Sequence, residues 1–215
     1  MNEKNLREWF FIFAMCGHII IAILTLIAVS FYAGGTSTNP GAPGYSLWAN
    51  FIGDLGRTKA YSGKSNTVSS LIYSISQIIL SMIFIIIAFV LPYFFTDTKF
   101  DKWLSYIGSF FMIIGAILMI VLVFRPSDIY ENENMAFSGI SFLVALIFLS
   151  LYSIASLHTK SFPNKYGFVW IVFLAILFIN VVIMILFAVG AAFLTLMLCV
   201  FRFILCYGFY KQSKS

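Results

Sequence analysis

From Phe168 to Tyr210 the chain runs about 43 residues with no acidic side chain and one charge, Arg202. As a single helix this block would be roughly 64 Å long at 1.5 Å per residue. The hydrocarbon core of a bilayer is about 30 Å thick, so the block has to fold back on itself. Its one weak point is Val189-Gly190-Ala191-Ala192, where small residues and a glycine permit a tight turn. Two spans follow, about 168–189 and 191–210. Four further apolar blocks precede them, at about 10–32, 70–95, 103–124 and 136–157. The apolar residues come in long runs rather than in stripes of helical or strand period, as they do when lipid is the solvent. Composition agrees: 61% of the 215 residues are hydrophobic and 10% are charged, against about a quarter charged in soluble domains. The expected fold is all-α, a single polytopic transmembrane helical bundle spanning residues 1–215 with six spans.

The first block could be mistaken for a signal peptide, with Ala28-Val29-Ser30 as a cleavage site. It exceeds 20 residues, against about 7–15 for a signal h-region, and reads as an uncleaved signal-anchor. Orientation follows from Lys and Arg. With the N-terminus inside, Lys4, Arg7, Lys99, Lys102, Lys160, Lys165, Lys211 and Lys214 face the cytoplasm, and Arg57, Lys59, Lys64 and Arg125 lie outside, eight against four. The positive-inside rule then places both termini in the cytoplasm of a multi-pass cell-membrane protein. Trp9, Trp103 and Trp170 stand near span ends, where indoles anchor at the headgroups.

A net charge of +5 raises the question of nucleic acid. The basic residues sit singly or in pairs beside apolar blocks and form no stripe or motif, so no nucleic-acid partner is expected. Cys16, Cys199 and Cys206 all fall inside apolar blocks. They read as small buried hydrophobes, with no disulfide and no zinc spacing. There is no phosphate loop, dinucleotide fingerprint or His-Glu-x-x-His, and no metal or cofactor is expected.

The first loop, 33–69, is the most informative polar stretch. It opens on Gly34-Gly35-Thr36-Ser37-Thr38-Asn39-Pro40-Gly41-Ala42-Pro43-Gly44, a density of glycine and proline that builds turns. In Tyr45-Ser46-Leu47-Trp48-Ala49-Asn50-Phe51-Ile52-Gly53-Asp54-Leu55-Gly56-Arg57, aromatic and aliphatic residues interleave with Asn50, Asp54 and Arg57. Spacings of four and three put these polar groups on one face of a short interfacial helix on the outer side. This block resembles the first outer loop of a family of six-span bacterial and archaeal membrane proteins grouped as domain of unknown function 998. The matching residues are Gly44-Tyr45-Ser46 and Asn50-Phe51-Ile52-Gly53-Asp54-Leu55-Gly56. More distantly the arrangement is similar to the Frag/DRAM/Sfk membrane proteins, which have six spans and a polar first outer loop and are tied to lipid homeostasis. The resemblance implies the topology and brings no activity.

The second outer loop carries Arg125-Pro126-Ser127-Asp128, a second Arg/Asp pair on the side of Asp54 and Arg57. Two arrangements are open. The four groups form crossed salt bridges that clamp the loop, or they line a polar pocket in which Arg reads a lipid headgroup bidentately.

Inside the spans ionisable groups are rare, and each is a functional candidate. Arg202 lies about eleven residues into the last span with no acid in any span to pair with it; Asn180, His18 and backbone carbonyls are the available partners. It snorkels toward Cys206 and Tyr207 and the cytoplasmic side, bonds from helix to helix, or holds a lipid phosphate in a crevice. His18 is alone in the first span, and His158 lies at the cytoplasmic end of the fourth, so paired haem ligation is not expected. Gln77 stands beside Ser74 and Ser81, and Ser138, Ser141, Ala145, Tyr152 and Ser156 recur along the fourth span. Together with Gly108 and Gly115 these mark close helix packing.

The function these residues point to is non-catalytic: an integral membrane protein that binds membrane lipids or another membrane protein, as a regulator of lipid homeostasis or a complex subunit. The alternative is an outer-leaflet lipid-modifying enzyme or small transporter working through Asp54, Arg57, Arg125 and Asp128.

Overall fold

The computed structural model describes residues 3–160, 162–187 and 192–214. Six long helices account for most of them: α1 (Glu3–Ser30), α2 (Thr67–Val90), α3 (Lys99–Val123), α4 (Glu131–His158), α5 (Asn164–Phe187) and α6 (Ala192–Lys214). No strand occurs among the described residues, where pairing is limited to an isolated bridge between Lys59 and Ser65. The turn expected at Val189-Gly190-Ala191-Ala192 lies, apart from Ala192, outside the described residues.

The first five helices begin before their apolar blocks do. α3, for instance, starts at Lys99 rather than at Trp103 because Thr98 caps it, its hydroxyl oxygen accepting the Asp101 amide at 3.1 Å. Polar first turns of this kind carry a helix out of hydrocarbon and into the headgroup layer. α2 ends in a short 3-10 turn, Leu91–Phe94, with Pro92 inside it; proline ends the α-helical ladder there because it has no N–H to donate.

Each helix packs on its neighbours in sequence, and α6 returns to α1, so the six form a closed ring. Connectivity puts the termini and the 95–98 and 159–163 connections at one end, the termini end. The 31–66 and 124–130 segments occupy the other, the loop end. Among the described residues, five helical segments are long and apolar enough to cross a membrane: Leu6–Ser30, Thr67–Phe94, Lys99–Val123, Glu131–His158 and Asn164–Ile183. α6, with Arg202 at its middle and Lys211 and Lys214 in its last turn, is not among them.

The side chains are distributed inside out. Phe13, Leu26, Phe89, Phe110, Leu143, Phe178 and Val200 are exposed, whereas His18, Thr25, Ser76, Ser81, Ser105, Ser109, Ser153, Ser156 and Asn180 are buried. Water as solvent would reverse that preference, so this belt is a lipid-facing surface. The inward hydroxyls are satisfied mainly by their own helices: Ser81 donates to Gln77 O at 2.8 Å and Ser153 to Leu149 O at 2.7 Å.

α3 and α4 approach closely at Gly108, where an added Cβ would sit 2.9 Å from the Tyr152 ring, and at Gly115 against Val144. Tyr152 fills the space Gly108 leaves. Its hydroxyl bonds Ser109 Oγ at 2.6 Å, and Ser109 donates to Ala88 O at 2.5 Å, tying α2, α3 and α4 together. Most of the core lies toward the termini end, where Phe11, Phe95, Tyr152, Phe162, Trp170 and Phe209 interlock. Trp170 therefore corrects the expectation of an interfacial anchor: it is buried and stacks on Tyr152 at 5.2 Å. α5 begins at Asn164, so Trp170 is already well inside the helix and faces inward. Trp9 and Trp103 remain exposed. All three cysteines are free, with Cys206 buried and Cys16, contrary to expectation, on the exposed surface of α1.

Candidate functional site

The polar residues of the first loop fold into a cap over the loop end. Two left-handed glycines, Gly34 (φ 95°) and Gly35 (φ 87°), reverse the chain just after α1. The Gly35 amide donates to Ala42 O at 2.8 Å and Ser62 N–H donates to Gly34 O at 3.1 Å, closing the two arms of the loop. Where a short interfacial helix carrying Asn50, Asp54 and Arg57 is expected, the structure has a 3-10 helix of 5 residues, Ile52–Gly56. Asn50 precedes it and Arg57 follows it, so only Asp54 lies within.

Asn50 and Asp54 do meet. The Asn50 amide donates to Asp54 Oδ2 at 3.1 Å and to Gly35 O at 3.1 Å, while its carbonyl accepts Ser46 N–H at 2.9 Å. Asp54 Oδ2 also accepts the Phe51 N–H at 2.8 Å, the backward half of a capping box. Burial pushes the Asp54 carboxyl above the ordinary carboxylate range, against the pull of its bonds to Asn50 and Phe51 and of the nearby Arg57 charge.

Asp128 reaches across from the second loop. Its Oδ1 accepts Thr58 N–H at 2.9 Å, and its Oδ2 accepts the Thr58 hydroxyl at 2.5 Å and Lys59 N–H at 2.9 Å. Partial burial would raise its pKa, but these bonds outweigh it and hold the carboxyl below the ordinary range. Arg57 lies over the Tyr61 ring at 4.1 Å and donates to Lys59 O at 3.2 Å and Ser127 Oγ at 3.4 Å. Arg125 lies over Tyr130 at 4.7 Å. The two loops are therefore clamped by a carboxylate on backbone amides. None of Asp54, Arg57, Arg125 and Asp128 forms an ion pair with another of the four, so the crossed salt bridges do not form.

The residue that holds most of the cap is one the sequence did not single out. Asn66, 1% exposed, accepts Ala33 N–H at 3.2 Å and donates to Leu55 O at 3.1 Å and Arg57 O at 2.9 Å. It joins the end of α1, the 3-10 helix and the start of α2. Ser69 adds a bond to Ala28 O at 2.8 Å. The only sequence signal was position: two small polar residues at the entry to a span, where the N-terminal turn of a helix is expected to be capped.

The carboxylates respond to pH with opposite signs. The folded value of Asp54 is raised, so its carboxylate weakens the cap at neutral pH and acidification toward the folded value strengthens it. The folded value of Asp128 is lowered; its contribution is present above the ordinary value of 3.8 and is lost as pH falls through the folded value. Asp54→Asn is expected to stay within about 1 kcal/mol of the parent at neutral pH, since an amide oxygen still accepts both bonds. Asp128→Asn, which turns a donor toward other donors, should cost about 1–3 kcal/mol. Unfolding in mixed micelles between pH 4 and 8 separates the two: Asp54→Asn flattens the gain on mild acidification.

The intramembrane residues divide. Gln77 is half-buried and donates to Ser76 Oγ at 3.4 Å. Asn180 joins α5 to α6 through Thr195 Oγ1 at 3.1 Å. Arg202 does not snorkel toward Cys206 and Tyr207. Its Nε donates to Leu198 O at 3.2 Å, Nη2 donates to Cys199 Sγ at 3.0 Å, and the guanidinium faces the Phe84 ring at 5.9 Å. Side chains on a helix lean toward its N-terminus, and in α6 that direction leads back to the middle of the bundle. His18, from α1, lines the same central cavity as Arg202, together with Phe11, Leu91, Trp170 and Phe209. His158 instead pairs with the buried Asp101 at 2.7 Å at the termini end, far along the bundle from His18. Among the described residues no group of three or more His, Cys, Asp or Glu could hold a metal ion.

Comparison of the chain with protein-family models, with curated proteins and with solved structures finds no match.

Proposed function

We propose that the protein is a non-catalytic, multi-pass membrane protein of the cell membrane that binds lipid, with the loop end outside and both termini in the cytoplasm. In this reading all six helices cross the bilayer, α6 included, and the chain is a relative of the six-span family its first loop resembles. The carrying observation is the state of the two loop-end arginines: each guanidinium lies over a tyrosine ring, Arg57 over Tyr61 and Arg125 over Tyr130, and neither has a carboxylate partner. A guanidinium oriented by an aromatic face and free of a carboxylate is suited to the phosphate of a lipid headgroup. Similar basic–tyrosine pairs ring the termini end, Arg7 on Tyr93, Lys102 on Tyr106, Lys165 on Tyr166 and Lys214 on Tyr210. Among the described residues, four pairs there against two at the loop end follow the same bias as the lysine and arginine count.

The enzyme alternative is less well supported. Acid–base work needs a carboxylate that can reach a substrate proton. Asp54 is 4% exposed, and both Asp128 oxygens are occupied by Thr58 and Lys59.

Native mass spectrometry of protein extracted with its surrounding lipid tests the proposal. The wild type should carry anionic phospholipid, and Arg57→Ala combined with Arg125→Ala should lose most of it with little change in melting temperature. Equal phospholipid retention by the double variant would refute headgroup binding at this rim; retention of a second protein instead of lipid would point to a membrane partner.

A further inference from the structure

At the termini end a buried acid meets an exposed base. Asp101, in the first turn of α3, has a side chain that is 0% exposed, and its Oδ1 lies 2.7 Å from Nδ1 of His158 in the last turn of α4. The His158 side chain is 52% exposed. The other carboxylate oxygen, Oδ2, accepts the Thr98 hydroxyl at 2.8 Å. The Phe100 ring meets the imidazole in a T at 5.6 Å. Each member of the pair stands at the helix end its charge favours, the acid at an N-terminus and the base at a C-terminus.

The bond fixes which nitrogen takes up a proton. A carboxylate accepts, so Nδ1 carries a proton already, and Nε2 is left for the second. Among the described residues Nε2 has no protein partner, and the ring it belongs to reaches solvent. A proton can therefore join or leave His158 without opening the bundle. Its charge is felt at Asp101, which has no contact with solvent to screen it. With imidazolium the contact is an ion pair; with the neutral ring the ion pair is gone and a weaker hydrogen bond remains. Histidine is the side chain whose charge ordinarily changes between about pH 5 and 8. α4 packs on α3 and α5. The other charged groups that these helices and their connections bring to this end are Asp97, Lys99, Lys102, Lys160 and Lys165. Lys102 lies over Tyr106 at 6.0 Å and Lys165 over Tyr166 at 5.2 Å. Among the described residues, Asp101 is the acid within ion-pair distance of His158.

We propose that Asp101 and His158 form a proton-operated latch between the start of α3 and the end of α4, shut as an ion pair when the imidazole carries its second proton and loosened when that proton leaves. What it holds is the exit from α4. The Thr159 N–H donates to Ala155 O at 2.9 Å there. Thr159 is 1% exposed, and Phe162 beyond it stacks on Phe209 at 4.8 Å. Loosening frees this last turn and leaves the tie between α3 and α4 at Ser109 and Tyr152 in place, so the response is local. The latch gives the protein a sensor for the pH on the side its termini face. That role is separate from lipid binding at Arg57 and Arg125, which lie at the opposite end.

The test is hydrogen exchange of the full-length protein in detergent, read by mass spectrometry at about pH 6 and about pH 8, with rates corrected for the intrinsic pH dependence of exchange. In the wild type, protection of the segment carrying the His158 and Thr159 amides should fall about fivefold from the lower pH to the higher, the size of one weakened charge-assisted bond. Protection in α1 and α2 should not change. His158→Gln keeps a donor and has no titrating group, so its protection should be the same at both pH values and close to that of the wild type at the higher one. Asp101→Asn removes the charge on which the proton acts and should flatten the response as well; if it does not fold, His158→Gln decides alone. A response in His158→Gln as large as in the wild type would place the sensor elsewhere, with His18 the other histidine of the chain, and would overturn the latch. A wild type with no response, or one whose response is spread equally through all the helices, would overturn it too.

Discussion

Asn66→Ala is expected to open the loop cap without dismantling the helix ring. The substitution leaves the Ala33 N–H and the Arg57 carbonyl without their partner and the Leu55 carbonyl with only the Ser69 hydroxyl at 3.4 Å, all around a position that is 1% exposed. Each buried group left unsatisfied costs about 1–3 kcal/mol, so about 4 kcal/mol is a reasonable total after local relaxation. The loss should appear as a fall of roughly 10 °C in melting temperature. It should also be local. The Arg57–Thr58 bond lies between two anchors, Arg57 O on Asn66 and Thr58 N–H on Asp128. Trypsin should leave it intact in the wild type and cut there in the variant, while α3 to α6 stay resistant. Asn66→Asp serves as a control with a definite sign. It keeps an acceptor for Ala33 but sets a carboxylate against two carbonyls, so it should be no better than alanine. A variant with wild-type melting and no new cleavage would show that the cap is held elsewhere.

Gly35→Ala is the second large effect, and its cause is steric. At φ 87° an L side chain is strained whatever the space. Here there is no space either: a Cβ would meet the Ser62 amide nitrogen, and it would lie 2.7 Å from the Tyr61 carbonyl carbon. Backbone cannot swing aside as a side-chain tip can. Left-handed strain of about 1–2 kcal/mol and a packing clash of about 1–3 kcal/mol together predict about 3 kcal/mol. Gly63→Ala provides the comparison. Its φ is 77°, but nothing lies within 4 Å of an added Cβ, so only the strain is felt. Measured unfolding should rank Gly35→Ala clearly below Gly63→Ala; equal effects would mean that the approach of the two loop arms contributes nothing.

Both positions lie in a loop whose sequence announces turns but not their partners. The density of glycine and proline in 34–44 marks the reversal after α1, and it is there. The Asn50–Asp54 spacing marks a local contact, which forms because four residues of compact chain bring the two side chains within reach. Arg57 was placed on the same face by the same spacing and is not, because the helix is 3-10 and ends at Gly56. Nothing local distinguishes Asn66 from any other asparagine near a helix start; its role exists only once Ala33, Leu55 and Arg57 have been brought to it. Trp170 carries the same lesson in the core. Proximity to a span end suggested an anchor, and the rotation of α5 turned the ring inward.

What the chain alone determined is its medium. The number of long apolar runs, their length against the thickness of hydrocarbon, and the sparse charges between them depend on local composition, and composition is what a bilayer reads first. The partner of each inward polar group was decided by tertiary structure. Asp128 meets Thr58 and Lys59 across 70 and 69 residues of chain. His18 and Arg202 share one cavity only because α6 closes the ring against α1. A hydrogen bond or a shared cavity requires ångström-scale placement of groups that the sequence separates, and that placement follows from the packing of whole helices.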